Sequence, residues 1–449
     1  MSSFVGLEIA RRGLTAQLKS MEVAGQNIAH ANSPGYSRQV AQHSPTVIGG
    51  SGLMGGVEIE GIYRQYDAFL TSRVRRLTSQ EEEAAVRKDV LARLEELFGE
   101  PGEATIGTAL DDLWTAWGQL ATNPGNEAAR NTVLYRAQTL ALAFRETAGD
   151  ILSLQAEQAE RVQAAVREIN SLAKSLAEVN ESIMAATRSV GAGQPNALLD
   201  KRDELLMRLA ELADVQVRER PQGDVQVLIG GRILVDGMRQ TDLVLTSNED
   251  ELTLTMATGG SLSDVGGALA GLLATHNVDI PKYLAALDDL AGQIISAVNG
   301  LHERGYTPAG QPGGAFFVGT GARDMAVAVG ADELAASAGE DGRDGLIAQE
   351  IAALRQASSG EVPSIGQRYA ALVAELGAEA SSLIVRHESA RALTHFAQLR
   401  QESVSGVSLD EELVDLLRFQ QAYAAAARFL TVIDEALEVL VNRTGHVGR

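Results

Sequence analysis

The chain has 449 residues, no cysteine, 4% aromatic residues and a net charge of −21. The length suits about three domains, and the missing cysteines exclude disulfide scaffolds, thiol nucleophiles and Cys-based zinc sites. The acidic balance argues against a nucleic-acid partner, and no apolar run approaches the roughly 20 residues that span a bilayer.

Ser2 to Gly25 is interrupted by Glu8, Arg11, Arg12, Lys19 and Glu22, so it lacks the apolar core of a signal peptide. Composition alone therefore reads as cytoplasmic. Phe4, Leu7, Leu14, Leu18, Met21 and Ile28 follow the 3–4 spacing of a heptad seam, with Arg11 and Gly25 as exceptions. Such a narrow seam wants one partner helix. Asn32-Ser33-Pro34-Gly35-Tyr36 predicts a stop near His30, because Pro34 disfavours a helical Ser33. A polar stretch through Gly49-Gly50-Ser51-Gly52 follows, and Val57-Glu58-Ile59-Glu60 alternates as extended chain does.

Helices are predicted over 81–98, stopped by Gly99 and Pro101, and over 106–121, carrying Trp114 and Trp117 at core spacing. No proline occurs between Pro124 and Pro195. Asn126 can cap a helix of about 60 residues there, roughly 90 Å long, which Gly149 can bend or break. Gly191-Ala192-Gly193 reads as a linker to a helix over 198–212. From Asp214 the period changes to two, in Val215/Val217, Val225/Val227/Ile229, Ile233/Val235, Leu243/Leu245 and Leu252/Leu254, with turns at Gly223, Gly230-Gly231, Gly237 and the Ser247–Asp250 run. This predicts a small antiparallel β unit interrupting a helical pattern, so the helices should fold without it. Helices resume at about 279–303, 343–357 and 363–402.

The last helix starts at Ser408, a plausible N-cap, with Asp410, Glu411 and Glu412 complementing the helix dipole. Leu409, Leu413, Leu416, Tyr423, Ala427, Leu430, Ile433, Leu437 and Leu440 keep the rhythm, and Arg443, Gly445 and Gly448 end it. Residues 1–76 carry eight basic and five acidic side chains, a net +3. Residues 405–449 carry four and seven, a net −3, so pairing of the ends would gain a weak attraction.

The run Asn27-Ile28-Ala29-His30-Ala31-Asn32-Ser33-Pro34-Gly35-Tyr36-Ser37-Arg38-Gln39 resembles the N-terminal signature of the flagellar rod and hook axial proteins. Ser405-Gly406-Val407-Ser408-Leu409-Asp410-Glu411-Glu412, followed by Arg418-Phe419-Gln420-Gln421-Ala422-Tyr423, resembles their C-terminal signature. Ser37-Arg38-Gln39 and the Ser-Gly-Val-x-Leu-Asp-Glu-Glu start are similar to the hook-associated protein 1 family, which forms the hook–filament junction. Asp111-Asp112-Leu113-Trp114, Asn123-Pro124, Asp200-Lys201-Arg202-Asp203 and Gly310–Gly314 extend the resemblance over nearly the whole chain. His30 and Ser33 depart mildly from the family pattern. The rivals are a hook or rod subunit of the same superfamily, or a protein of a different class: a non-flagellar, cytoplasmic acidic coiled-coil scaffold or an enzyme with its site in 214–340.

The resemblance implies an elongated, mainly α chain with a small inserted β domain. Its terminal helices form a coiled-coil inner domain (1–79 plus 403–449), its long helices a rod (80–213 plus 262–402), and 214–261 an antiparallel β outer domain. It implies a secreted structural subunit, transiently cytoplasmic, that assembles by apolar seams. Expected partners are other copies, hook protein, the second junction protein, a flagellar export chaperone and the flagellar type III export apparatus. The expected N-terminal assembly residues are Leu14, Leu18, Asn27, Ile28, Asn32, Pro34, Gly35, Tyr36 and Arg38. In the C-terminal helix, which also binds the chaperone, they are Leu409, Leu413, Leu416, Phe419, Tyr423, Leu430, Ile433 and Leu437. In the assembled tube, Leu14 and Leu18 are expected against Leu413, Leu416 and Leu430.

No chemistry competes with this reading. The seven histidines form no i, i+4 pair, and there is no Walker loop and no Gly-x-Ser-x-Gly elbow. Asp111/Asp112 and Asp200/Asp203 are better explained as helix starts and solvated faces than as catalytic pairs. No enzyme activity, cofactor or metal is expected.

Overall fold

The computed structural model describes residues 2–48, 53–99, 102, 105–188, 193–248, 251–356 and 363–443. The glycine run 49–52, Pro101, Gly191, Ala192, Glu249, Asp250, Gly445 and Gly448 lie outside them, as do the side chains of Phe4 and Leu440.

Helix α1 (Ser2–His30) stops as the loop geometry requires: Ser33 donates back to the His30 carbonyl at 2.9 Å, and Gly35 takes a φ of 77°. The extended chain after it closes into an antiparallel hairpin of β1 (Gln39–Ile48) and β2 (Leu53–Arg64). Register shifts follow Gln42 and Pro45, and the second coincides with a residue that cannot donate to the ladder. Helix α2 (Ala68–Phe98) begins well before the predicted residue 81. Asp67 caps it through the Phe69 and Leu70 amides, and its first half buries Thr71, Arg75, Thr78 and Ser79, so no apolar stripe betrays it. Gly99, at φ 64°, closes it.

Helix α3 (Ile106–Thr122) is started by a Thr105–Thr108 capping box. The Asn126 carboxamide oxygen accepts from the Ala128 and Ala129 amides at 2.9 and 3.2 Å to start α4 (Glu127–Arg188). This helix runs 62 residues straight through Gly149, about 93 Å at 1.5 Å per residue, and makes the molecule elongated. After α5 (Asn196–Leu212), strands β3 (Val215–Glu219), β4 (Val225–Ile229), β5 (Arg232–Asp236) and β6 (Arg239–Gln240) form one antiparallel meander. Strands β7 (Leu243–Asn248), β8 (Glu251–Met256) and β9 (Ser261–Leu262) form a second.

Helix returns at α6 (Gly267–Ala274), earlier than predicted, and passes through a π turn at Thr275–Asp279 into α7 (Ile280–His302). Its small residues hide α6 from pattern reading but let it approach α2 closely, since a Cβ on Gly271 would stand 2.8 Å from the Glu83 carbonyl oxygen. A short pair, β10 (Phe317–Val318) and β11 (Ala326–Val327), precedes α8 (Leu346–Ala353), α9 (Ile365–Ser405) and α10 (Leu409–Arg443).

Two large apolar cores lie along α4. Its first half joins α3, α7, α8 and the start of α9 around Trp117, Phe144, Tyr283 and Phe316. Its second half, through Val162, Ile169 and Leu176, shares a core with Leu206 and Leu209 of α5, Val225, Val227 and Val235 of the meander, and Leu269 of α6. The strands complete the apolar covering of this half of α4, which bears against the expectation that the helices fold without the β unit.

Candidate functional site

Helices α1 and α10 pair antiparallel. Gly6 lies against Ile433, where a Cβ would fall 2.9 Å from its Cδ1, and Gly13 lies against Ala426. At the other end Asn27 reaches Glu412. These contacts fix the face of α10 turned toward α1, and Leu416, Phe419, Leu430, Ile433 and Leu437 fall on it, half-buried. Leu409, Leu413 and Tyr423 stay exposed, as does Leu18 on α1, while Leu14 and Ile28 are half-buried. Within one chain the register sets Gly13 opposite Ala426 and leaves Leu413 near the Asn27 end, away from Leu14 and Leu18.

The two signature runs meet at this end in a polar clasp. Asn27 is 1% exposed and uses every hydrogen-bonding position of its amide. Its oxygen accepts from the Tyr36 hydroxyl at 2.8 Å and the Gln39 amide at 3.0 Å. Its nitrogen donates to the Gln39 carbonyl at 2.9 Å and to Glu412 at 3.0 Å. Arg38 holds the other Glu412 oxygen at 2.7 Å, Glu411 at 2.8 Å and Asp415 at 3.7 Å. Its backbone N–H also donates to the Ser405 carbonyl, and its carbonyl accepts from Gln65.

Burial, and then the charges of Asp200 and Glu412, push the Tyr36 phenol up to about 12, so it stays a donor. His30 stacks on Tyr36 with ring centroids 5.0 Å apart. Asn32, Pro34 and Gly35 are exposed and shape the loop beside the clasp. A groove of about 590 Å³ runs between that loop and residues 402–411.

Glu411 and Glu412, expected only to complement the dipole at the start of α10, are together with Asp415 the ligands of Arg38. The opposite charge of the two chain ends was the available signal. Asp200 and Asp203 are likewise corrected from solvated residues. Both receive Arg64 Nη1, at 2.7 and 2.9 Å, and all three side chains are largely buried. Burial opposes the Arg64 charge, but Asp203 and Asp200 outweigh it and raise its pKa. With Asn196 donating to the Ile62 carbonyl and to Gln39, this ties the hairpin to α5. Asp111 and Asp112 pair on the surface with Arg355 and Arg136. Among the described residues no three His, Asp or Glu side chains stand together as a metal site, and no helix is long and apolar enough to cross a membrane.

A long-helix body whose two ends close on each other through the axial signatures defines a structural subunit of the flagellar type. Residues 91–317 match the model of the flagellar hook-associated protein FlgK helical domain, and 401–443 that of the flagellar basal body rod FlgEFG protein C-terminal region. The chain belongs to the flagellar hook-associated protein FlgK family, whose members are structural proteins of the flagellum. It is 27% identical to flagellar hook-associated protein 1 of Bacillus subtilis over 100% of both chains. It is 25% identical to that of Escherichia coli over 96% of this chain and 98% of the relative. The flagellar hook junction protein FlgK from Burkholderia pseudomallei has the same fold, with a TM-score of 0.66, 18% identity, 74% of this chain covered and 100% of that one.

Proposed function

We propose that this chain builds the layer between hook and filament, with the α1/α10 pair and its clasp as the tube-forming end. The observation that carries this reading is the joining of both signature runs by Asn27, Arg38 and Glu412. The inner unit is residues 1–79 plus 403–449, the rod 80–213 plus 262–402, and the outer unit 214–261. Leu18, Leu409, Leu413 and Tyr423, exposed in the single chain, meet neighbouring copies. Leu14, Ile28, Leu416, Phe419, Leu430, Ile433 and Leu437 hold the pair itself, and Asn32, Pro34 and Gly35 shape the loop.

The chain leaves the cell through the flagellar type III export apparatus, with an export chaperone covering α10 beforehand, and then contacts hook protein and the second junction protein. Its work is assembly, not catalysis. Leu413→Asp tests this. Leu413 is 49% exposed, so the single chain keeps its fold, while desolvating the new charge in an assembled interface costs several kcal/mol. A motility-defective deletion strain carrying the variant should secrete the protein but fail to retain it at the hook tip. Normal swimming with the variant in place would sink the assignment.

A further inference from the structure

The chain crosses between its paired ends and its rod twice, at 65–67 and at 406–408, and neither crossing is helix or strand. On one side, α1, α10 and the β1/β2 hairpin form a tight body. Gly6 and Gly13 set α10 on α1, Asn27 and Arg38 hold Glu412, and Ser20 bonds His43 of β1 at 3.0 Å. A Cβ on Gly56 of β2 would stand 3.3 Å from the Ile9 Cα, so the hairpin lies close on α1. On the other side stand three apolar cores, the third a small one around Val74, Leu77 and Ala397. None of the three contains a described residue of 1–66 or 409–443. The first half of α2 and the end of α9 thus stay with the rod, where Gln401 bonds Thr71 at 2.9 Å.

What joins the two bodies is polar. Arg64, 5% exposed at its side chain, puts a single nitrogen on both Asp200 and Asp203 of α5, and Asp200 also receives Ser37. Asn196 holds Gln39 and the Ile62 carbonyl at 3.0 Å each, and the Arg38 amide donates to the Ser405 carbonyl at 2.9 Å. Between these ties the junction is open. A cavity of about 520 Å³ lies between Tyr63 and Tyr66 on one side and Leu199, Arg202 and Pro221 on the other. Another, of about 360 Å³, lies between His30 and Pro34 and the Ala197 and Lys201 of α5. Asn196 leaves its own oxygen buried without a partner, a group that opening would return to water. Apolar burial resists separation in proportion to its area, whereas polar contacts exchange for water at little net change. The molecule therefore yields here before it yields within either body.

We propose that the paired ends and their hairpin turn as one body on the rod about 65–67 and 406–408, and that Arg64 is the latch that holds them closed on α5. The joint is a property of the single chain. Its use rests on the reading above: a turning end lets identical copies seat against unlike neighbours, hook protein on one side and the second junction protein on the other.

The cysteine-free chain accepts paired spin labels without background. Full-length Ser171→Cys/Ala425→Cys protein reports rod to paired ends. Ser171→Cys/Ser389→Cys reports the rod alone and Thr15→Cys/Ala425→Cys the paired ends alone, and all four positions are exposed. Pulsed electron double resonance on the isolated protein should give one narrow rod-to-end distance. Arg64→Ala should broaden it at least threefold and leave both internal distances as they were. Arg64→Lys should keep it narrow, because one nitrogen serves both carboxylates. A rod-to-end distribution that Arg64→Ala leaves unchanged removes the latch, and internal distances that broaden with it remove the joint. Neither result touches assembly at the hook tip, which the Leu413→Asp strain tests separately.

Discussion

A carboxylate at position 27 would face Glu412 across 3.0 Å and could no longer donate to it. Asn27→Asp should therefore loosen the clasp more than Asn27→Ala, although it is nearly isosteric. Arg38→Ala leaves Glu412, 4% exposed at its side chain, without its cation, a loss of about 3–5 kcal/mol for a buried pair broken on one side. Hydrogen exchange of the α10 amides reads both, and Glu412→Gln should recover much of the Arg38→Ala loss. Unchanged α10 protection in Arg38→Ala would show that the clasp does not hold the helix.

His302 allows a pH test. Buried beside Trp117, it bonds the Gly314 carbonyl through Nδ1 and accepts the Ala335 amide at Nε2, which requires the neutral ring. Burial lowers its pKa from 6.5. The folded state thus binds the proton less readily than the unfolded one, and stability is full above pH 6.5 and falls as pH drops below it. The urea midpoint should decline between pH 7 and 5, and more steeply than in His302→Gln. At this scale the sequence displayed Asn27, Tyr36 and Arg38 through their motif, but the acids that Arg38 holds lie more than 370 residues away. No local pattern joins them: the seams and the opposite charge of the two ends pointed to paired helices, but not to these partners.

Elements were legible where apolar residues repeat and caps are local. Asn126 started α4 as expected, the stop of α1 fell at His30, and the strands from Val215 to Leu254 formed where alternation placed them. In β5 the expected pair Ile233/Val235 is corrected: a register shift against β4 exposes Ile233 and buries Leu234 beside Val235. Legibility failed where polar or small residues are buried, in the first half of α2 and in α6. The relation between elements was hidden too, because periodicity shows that a strand has an inner face but not which helix covers it. Joining Ala213 to Ser261 through a short Gly/Ser linker would uncover Val162, Ile169 and Leu176. Circular dichroism should then show two transitions on heating, with the distal half of α4 melting first. One cooperative melt at the original temperature would mean that the β unit contributes nothing to that core.

The whole molecule is arranged around its ends. The chain leaves α1, runs through the hairpin and the long-helix body, and returns to α10, so that Asn27 and Glu412 meet across 385 residues. Closing so distant a contact comes late, after the local helices and the cores along α4 have formed. The clasp therefore also inspects the chain: it closes only on a molecule synthesised past Glu412 whose body is folded well enough to bring the ends together. A truncated or misfolded copy leaves the buried face of Asn27 open and its two ends unjoined.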